Sequence, residues 1–403
     1  MILKVAWLNI WRNPLRSIIV LLSIVLGIWA GVFIVGFSYG LNNQRIAEAI
    51  NSNLGHVQIH HPKFSEEEHI AYVLPPAVVL KTALQRQPEI SSYSIRTVVS
   101  GMLQSARAAR GIRILGVNAD AEKAVSTIPQ KIHEGDWFAT NKRNPLVIGK
   151  QLADLLHVTV GSKVVITFQD VENNIIAARF TLIGIYKSAN SKFDELVVYC
   201  QQPDLYALIG GELNHQVVVM ARETQQAEQL AANLQNELPA LSVKSWREVA
   251  PELAYTDEIL AVSLLVVMAI LMLALMFGII NTMLMAVLER KRELGMLQAI
   301  GMNKQRISAM IVLETCLIGI IAGPLGLALG VETTRYFGEV GIDLSLFGQG
   351  LESFGISTRI YPQIEIIFMI KIAVMVGFMA LVASIYPAIK ALRLNPIEAI
   401  RGL

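Results

Sequence analysis

His56, His60, His61 and His69 place four of the seven histidines within fourteen residues, beside Glu66, Glu67 and Glu68. Imidazoles and carboxylates crowded together are the raw material of a metal site. The spacing fits no standard ligand set, however, and a strand over 56–60 would turn consecutive side chains to opposite faces. No metal is expected, and the cluster reads as polar strand residues on a solvated face. Phosphate and hydrolase chemistry is also missing. Gly149-Lys150 is followed by Gln151, so no phosphate loop is completed, and neither H-E-x-x-H nor G-x-S-x-G occurs. The chain is therefore expected to be no enzyme, with no cofactor and no ATP-binding loop of its own.

The other concentration of charge is Glu289-Arg290-Lys291-Arg292-Glu293, five consecutive charges at the end of a long apolar run. Gly295 follows and permits a bend. Leu294, Leu297 and Ile300 recur every three residues, an apolar stripe on a short helix. A charged collar beside an apolar stripe suits docking into a groove on a partner protein. It suits equally a helix lying on the membrane surface with its charges at the interface.

The elements that must hold this segment are membrane spans. Of 403 residues, 53% are hydrophobic and only 16% charged, and the apolar residues gather in long runs. Residues 17–44 carry no charge, 259–288 are thirty uncharged residues, and further apolar runs occupy 307–331 and 364–389. About 20 helical residues cross a hydrocarbon core, so each run can span, and the second, at roughly 45 Å, should overshoot. The first is too long for the apolar part of a signal peptide and is expected to remain as an anchor. Lys4, Arg12 and Arg16, then Arg290, Lys291, Arg292, Lys304 and Arg306, then Lys390, Arg393 and Arg401 lie at one set of ends. That asymmetry predicts both termini in the cytoplasm and the long segment after the first span outside. Net charge is only +2, so nothing in bulk charge attracts nucleic acid. Cys200 and Cys316 should lie in different compartments and stay unpaired, Cys200 as a small buried hydrophobe. Gly27/Gly31, Gly36/Gly40, Gly319/Gly323 and Gly326/Gly330 are spaced for close helix approach, or reflect only the frequency of glycine in membrane helices. Glu314 and Lys371 are charges within spans, and no direct pair between them is expected. Lys371 can snorkel outward, whereas Glu314 needs a partner.

The fold class expected is an α-helical membrane protein with four transmembrane helices and a large two-lobed α+β extracytoplasmic domain between helices 1 and 2. Its opening and closing pieces read as β-α-β units: 56–60, 77–87 and the strands after it, then 215–221, a helix with Thr224 as its N-cap, and 241–246. Between them, at about 120–213, lies an inserted lobe with a helix, a glycine turn and several strands.

The stretch "ERKRELGMLQAIGM" resembles the coupling segment of FtsX-like, MacB-type ABC transporter permeases, whose pattern runs E-R-x-x-E-[IL]-G-x-[LM]-x-A-[IL]-G. "YPAIKALRLNPIEAIR" is similar to that family's closing segment, and "AWLNIWRNPLRS" to its amphipathic N-terminal helix, with Trp7 and Trp11 at the interface. "GHVQIHHPKF" and "VIGKQLADLLHVTVGSKVVIT" resemble the opening strand and inserted lobe of its outside domain. By that resemblance Glu289, Arg290, Glu293, Gly295, Leu297, Ala299 and Gly301 would couple to an ATPase, and Pro387, Pro396, Glu398 and Arg401 would form the C-terminal motif. Asn395 can also cap a helix there, with Pro396 at its first position and Glu398 reaching back. The resemblance implies a cytoplasmic ABC ATPase dimer that binds ATP and Mg, a second permease copy or homologue, membrane lipids, and motion transmitted through long helices to the outside domain. The organisation expected is 1–16 N-terminal helix, 17–40 helix 1, 41–255 outside domain, 256–288 helix 2, 289–306 coupling segment, 307–331 helix 3, 332–363 outside loop, 364–390 helix 4 and 391–403 C-terminal segment. Size and topology are most like the lipoprotein-releasing permeases of the LolC/LolE group. This points to extraction of lipoproteins from the outer leaflet of the inner membrane, with a periplasmic lipoprotein chaperone as a further partner. Two other readings stand beside it: MacB-type export of small hydrophobic compounds or peptides, and a signalling permease that moves nothing and controls an extracytoplasmic enzyme.

Overall fold

The computed structural model describes residues 2–65, 67–139 and 142–393. The chain opens with helices α1 (Ile2–Arg12) and α2 (Pro14–Ala49). There follow β1 (Val57–His60), α3 (Ala77–Gln85), β2 (Ile90–Gln104), β3 (Ala109–Val117), α4 (Ala119–Val125), β4 (Ile132–Gly135), β5 (Pro145–Gly149), α5 (Lys150–Leu156), β6 (Lys163–Gln169), β7 (Ile175–Tyr186), α6 (Ser191–Leu196), β8 (Val197–Gln201), α7 (Gln202–Ile209), β9 (Gln216–Ala221), α8 (Ala227–Glu237), β10 (Ser242–Ser245) and α9 (Trp246–Val249). The chain then runs through α10 (Pro251–Glu289), α11 (Lys291–Ala299), α12 (Lys304–Val340), β11 (Ile342–Asp343), α13 (Gly348–Ser353), β12 (Arg359–Ile360) and α14 (Ile366–Leu392). Two compact units result: Met1–Asn42, Asp257–Asp343 and Arg359–Leu403 in one, Asn43–Thr256 and Leu344–Thr358 in the other.

In the first unit α2, α10, α12 and α14 are long and apolar enough to cross a membrane. Pro14 separates α1 from α2; it lacks an N–H and suits the first turn of the new helix. The Ser17 hydroxyl then donates to the Ile10 carbonyl across the break. Ile28 and Val32 of α2, Met268 of α10, Ile318 and Ala322 of α12 and Val376 of α14 are buried together. The glycine spacing does mark close approach. A Cβ on Gly330 would lie 2.6 Å from the Val32 Cβ, and one on Gly326 would lie 2.8 Å from the Ile28 Cβ. Larger residues there would force α12 away from α2.

In the second unit the described strands form a mixed sheet in the order β10-β1-β9-β2-β3-β8-β5-β7-β4, with β6 pairing β2 and β7. The fifteen-residue β2 serves both lobes, since Ile90–Arg96 pairs with β9 and Thr97–Gln104 with β3. One lobe buries Val57, Ile59, Leu80, Val219, Leu230 and Leu234. The other buries Leu103, Ile114, Ile148, Leu152, Ile166 and Phe180. Cys200 is buried there as a free thiol, which burial pushes well above its ordinary pKa. Arg96 of β2 and Glu122 of α4 are fully buried, joined by hydrogen bonds of 2.6 and 3.0 Å, and Arg96 also donates to the Asn53 carbonyl at 2.9 Å.

Two expectations fail here. His56 and His60 are not on a solvated face, because β1 lies between β9 and β10 and both rings are buried, whereas His61 is half-buried and His69 exposed. His60 stacks on Phe64, which stacks in turn on His215, with centroids 5.5 Å apart in each pair. Thr224 does not cap α8; its hydroxyl sits 3.0 Å from the His56 ring, and a short 3-10 turn precedes the helix.

Candidate functional site

The charged collar lies where α10 gives way to α11. The break falls at Arg290, whose backbone leaves helical geometry, and not at Gly295, which is helical and buried inside α11. Beyond α11, Gly301 adopts φ +98°, a left-handed conformation that turns the chain. Asn303 then starts α12, its side chain accepting from the Gln305 N–H at 3.0 Å.

Every acidic member of the collar has an arginine partner within the same unit. Arg12 of α1 grips Glu293 with both terminal nitrogens, Nη1 donating to Oε2 at 2.8 Å. Arg16 donates to Glu289. Arg290 reaches both carboxylate oxygens of Glu314 at 3.4 Å and lies 3.7 Å from Glu293. Arg12, Arg16 and Glu314 were not among the expected coupling residues. The arginines entered only as topology signals, and Glu314 only as a group in need of a partner. Exposed pairs of this kind are worth under about 1 kcal/mol each. The Arg290–Glu314 pair is mostly enclosed, so losing either member would leave a charge in a poor environment.

The expected apolar stripe divides. Leu294 is buried and Leu297 packs beside it, against Ala6 of α1, Val287 of α10, Ile307 and Ile311 of α12 and Ala391 of α14. Ile300 is 84% exposed and Met296 is 51% exposed, with Ala299 and Gly301 exposed between and beyond them. The stripe therefore does two jobs: its first part fixes α11 to its own unit, and its last part forms an apolar tip. On α1, Trp7 and Trp11 are exposed and meet edge to face at 6.0 Å. Pro387 is buried within α14. Pro396, Glu398 and Arg401 lie outside the described residues.

Residues 17–237 match the MacB-like periplasmic core domain, and residues 265–396 match the FtsX-like permease C-terminal family. An uncharacterised ABC transporter permease of Methanocaldococcus jannaschii is 24% identical, over 100% of this chain and 98% of its own length. The lipoprotein-releasing system transmembrane protein LolE of Haemophilus influenzae is 23% identical, over 96% of this chain and 95% of its own. The macrolide export ATP-binding/permease protein MacB of Hahella chejuensis is 25% identical, over 98% of this chain and 59% of its own.

Proposed function

The chain belongs to the ABC transporter permeases that carry a MacB-like periplasmic core domain, and from that premise we propose that it couples ATP hydrolysis on a separate ATPase dimer to work done by its large domain outside the membrane. In this reading it sits in the inner membrane with both termini in the cytoplasm, and the 289–306 segment is the part the ATPase grips. The observation that supports docking most directly is the apolar tip of Met296, Ala299 and Ile300. Leu294 and Leu297 are already used within the unit, so the contact offered to a partner is the tip and not the whole stripe. When the ATPase closes, a push on the tip passes through α11 to Glu293 and Arg290. It then reaches α1 through Arg12 and α12 through Glu314. The rigid 39-residue α10 is the lever that carries the motion outward.

For the cargo we favour lipid-modified proteins drawn from the outer leaflet. The alignment with a lipoprotein-releasing permease over nearly the full length of both chains supports this. Export of small hydrophobic compounds is the second reading, favoured by the similarly placed macrolide exporter. The test is affinity purification of the full-length chain in mild detergent, with co-purifying proteins and lipids identified by mass. Wild type is expected to retain an ABC ATPase and lipidated cargo, and Ile300→Asp is expected to lose the ATPase at normal membrane abundance. Full retention of the ATPase by Ile300→Asp overturns the docking assignment. A periplasmic adaptor in place of lipidated cargo favours the export reading.

A further inference from the structure

Within the unit that holds the large domain, a pocket of about 200 Å³ is lined by the end of α2, the turn after it, α6 and the start of α10. Arg45, Asn53 and Asn190 line it beside Phe193, Leu253 and Phe354. The Arg45 Nε is buried and has no hydrogen-bond partner among the described residues. Both asparagines have their oxygens engaged already. Asn190 Oδ1 caps α6, accepting from the Lys192 and Phe193 N–H groups at 3.1 and 3.2 Å. Asn53 Oδ1 accepts from Arg96 Nη1 at 3.0 Å. Each amide therefore keeps its NH2 as the group left to bond. That of Asn190 lies toward Gly355 of the same wall, 3.3 Å from where a Cβ on that glycine would stand. The two acids of the wall leave the Arg45 Nε unbonded: Glu48 is taken by Lys131, and Glu252 is exposed. A buried cationic donor without an acceptor is costly.

The position along α2 indicates which acceptor is at hand. The apolar run of this helix ends at Leu41, and Asn42, Asn43 and Gln44 lead directly to Arg45. Four residues of helix advance roughly 6 Å, and a headgroup layer is about 5–8 Å thick on each side of the hydrocarbon. Arg45 therefore stands at the depth of lipid phosphates. We propose that the pocket binds the phosphate of a phospholipid from the outer leaflet, with Arg45 as its charged clamp and the Asn190 and Asn53 amides as further donors. A guanidinium offers parallel N–H groups that match two phosphate oxygens. Phe193, Leu253 and the exposed ring of Phe354 suit the glycerol and first methylenes beside that phosphate. The site goes beyond the proposed function and rests on it only for the leaflet.

The test is native mass spectrometry of the full-length chain in dodecyl maltoside, a phosphate-free detergent. The chain is titrated separately with phosphatidylglycerol, with diacylglycerol and with glycerophosphate. Wild type is expected to hold one phosphatidylglycerol far more tightly than either of the other two. Arg45→Gln should weaken that binding by at least about tenfold, the usual worth of a hydrogen bond to a charged group, with Arg45→Lys between them. Asn190→Asp keeps the oxygen that caps α6 and replaces the donor with an acceptor, so it should weaken binding similarly. Arg107→Gln, an exposed arginine in the turn between β2 and β3, should bind as wild type does. Melting temperatures near the wild-type value show that lost binding is not lost folding. Equal affinity for phosphatidylglycerol in wild type, Arg45→Gln and Asn190→Asp overturns the site. Diacylglycerol held as tightly as phosphatidylglycerol overturns the role of the phosphate, and glycerophosphate held as tightly overturns the lipid as its source. No ATPase or cargo is present, so failure here leaves the docking assignment standing, and failure of Ile300→Asp leaves this site standing.

Discussion

Arg290, the residue at which α10 breaks, lies 3.4 Å from both carboxylate oxygens of Glu314 in α12. Glu314 is a buried acid within an apolar helix, and its partner comes from the collar where the preceding span ends. The pair fixes the distance between two helices at the point where the coupling segment leaves the bundle. Arg290 also touches Glu293, which is held by Arg12. The end of α1, the junction of α10 and α11, and Glu314 inside α12 are thereby tied through one chain of charges.

Removing one member of the Arg290–Glu314 pair should be far worse than removing both. Arg290→Met leaves an unpaired carboxylate in an apolar setting, at a cost of about 3–5 kcal/mol. Arg290→Met with Glu314→Leu should recover most of that loss. Thermal unfolding of the detergent-solubilised chain distinguishes the cases, and equal destabilisation of single and double variants would show that the pair is not the relevant interaction.

The Arg12–Glu293 pair is exposed, so its contribution to stability should stay under about 1 kcal/mol. Its effect on coupling should be larger. Arg12→Glu or Glu293→Arg alone is expected to lower cargo-stimulated ATP turnover several-fold while the melting temperature hardly moves. The double reversal Arg12→Glu/Glu293→Arg re-forms the pair and should restore turnover. A double reversal as impaired as the singles would place the role of Glu293 in a contact with the ATPase itself.

Acid should loosen the large domain through His60. Burial lowers its pKa from 6.5 to about 4, its ring nitrogens lying 3.2 Å from the His215 carbonyl and 2.9 Å from Gln58 Oε1. The folded state therefore binds this proton less readily than the unfolded state. Stability is complete above pH ~6.5 and is lost as pH falls toward 4, by up to ~3 kcal/mol. His56 and His215 are also lowered by burial and act in the same direction. Asp194 opposes them. Burial raises its pKa from 3.8 to about 6, so its contribution improves as pH falls through 6. Denaturant titrations at pH 7.5, 6 and 5 should show a shallower acid loss for His60→Gln and a steeper one for Asp194→Asn. An unchanged profile for His60→Gln would remove His60 from the account.

The four spans and the alternating strands of the large domain were legible in the sequence because each depends on the local distribution of apolar residues. Apolar runs long enough to cross a bilayer, with at most two charges each, need no distant partner to be recognised, and the strand at 56–60 and the helix at 77–87 follow from side-chain period alone. The spacing of Gly326 and Gly330 also carried its meaning, since a bare helix face has few uses besides close packing. The collar was visible as charge, but its pairing was not. Arg12 and Glu293 are 281 residues apart, and only the folded bundle brings them into contact. For the same reason the stripe of Leu294, Leu297 and Ile300 looked uniform, although α1, α10 and α12 cover its first part and leave its last residue exposed. His56 and His60 looked solvated because a histidine in an alternating strand is usually polar surface. Tertiary structure put a strand on each side of β1 and supplied backbone partners for both rings, and hydrogen bonding of that kind is what allows imidazoles to be buried neutral.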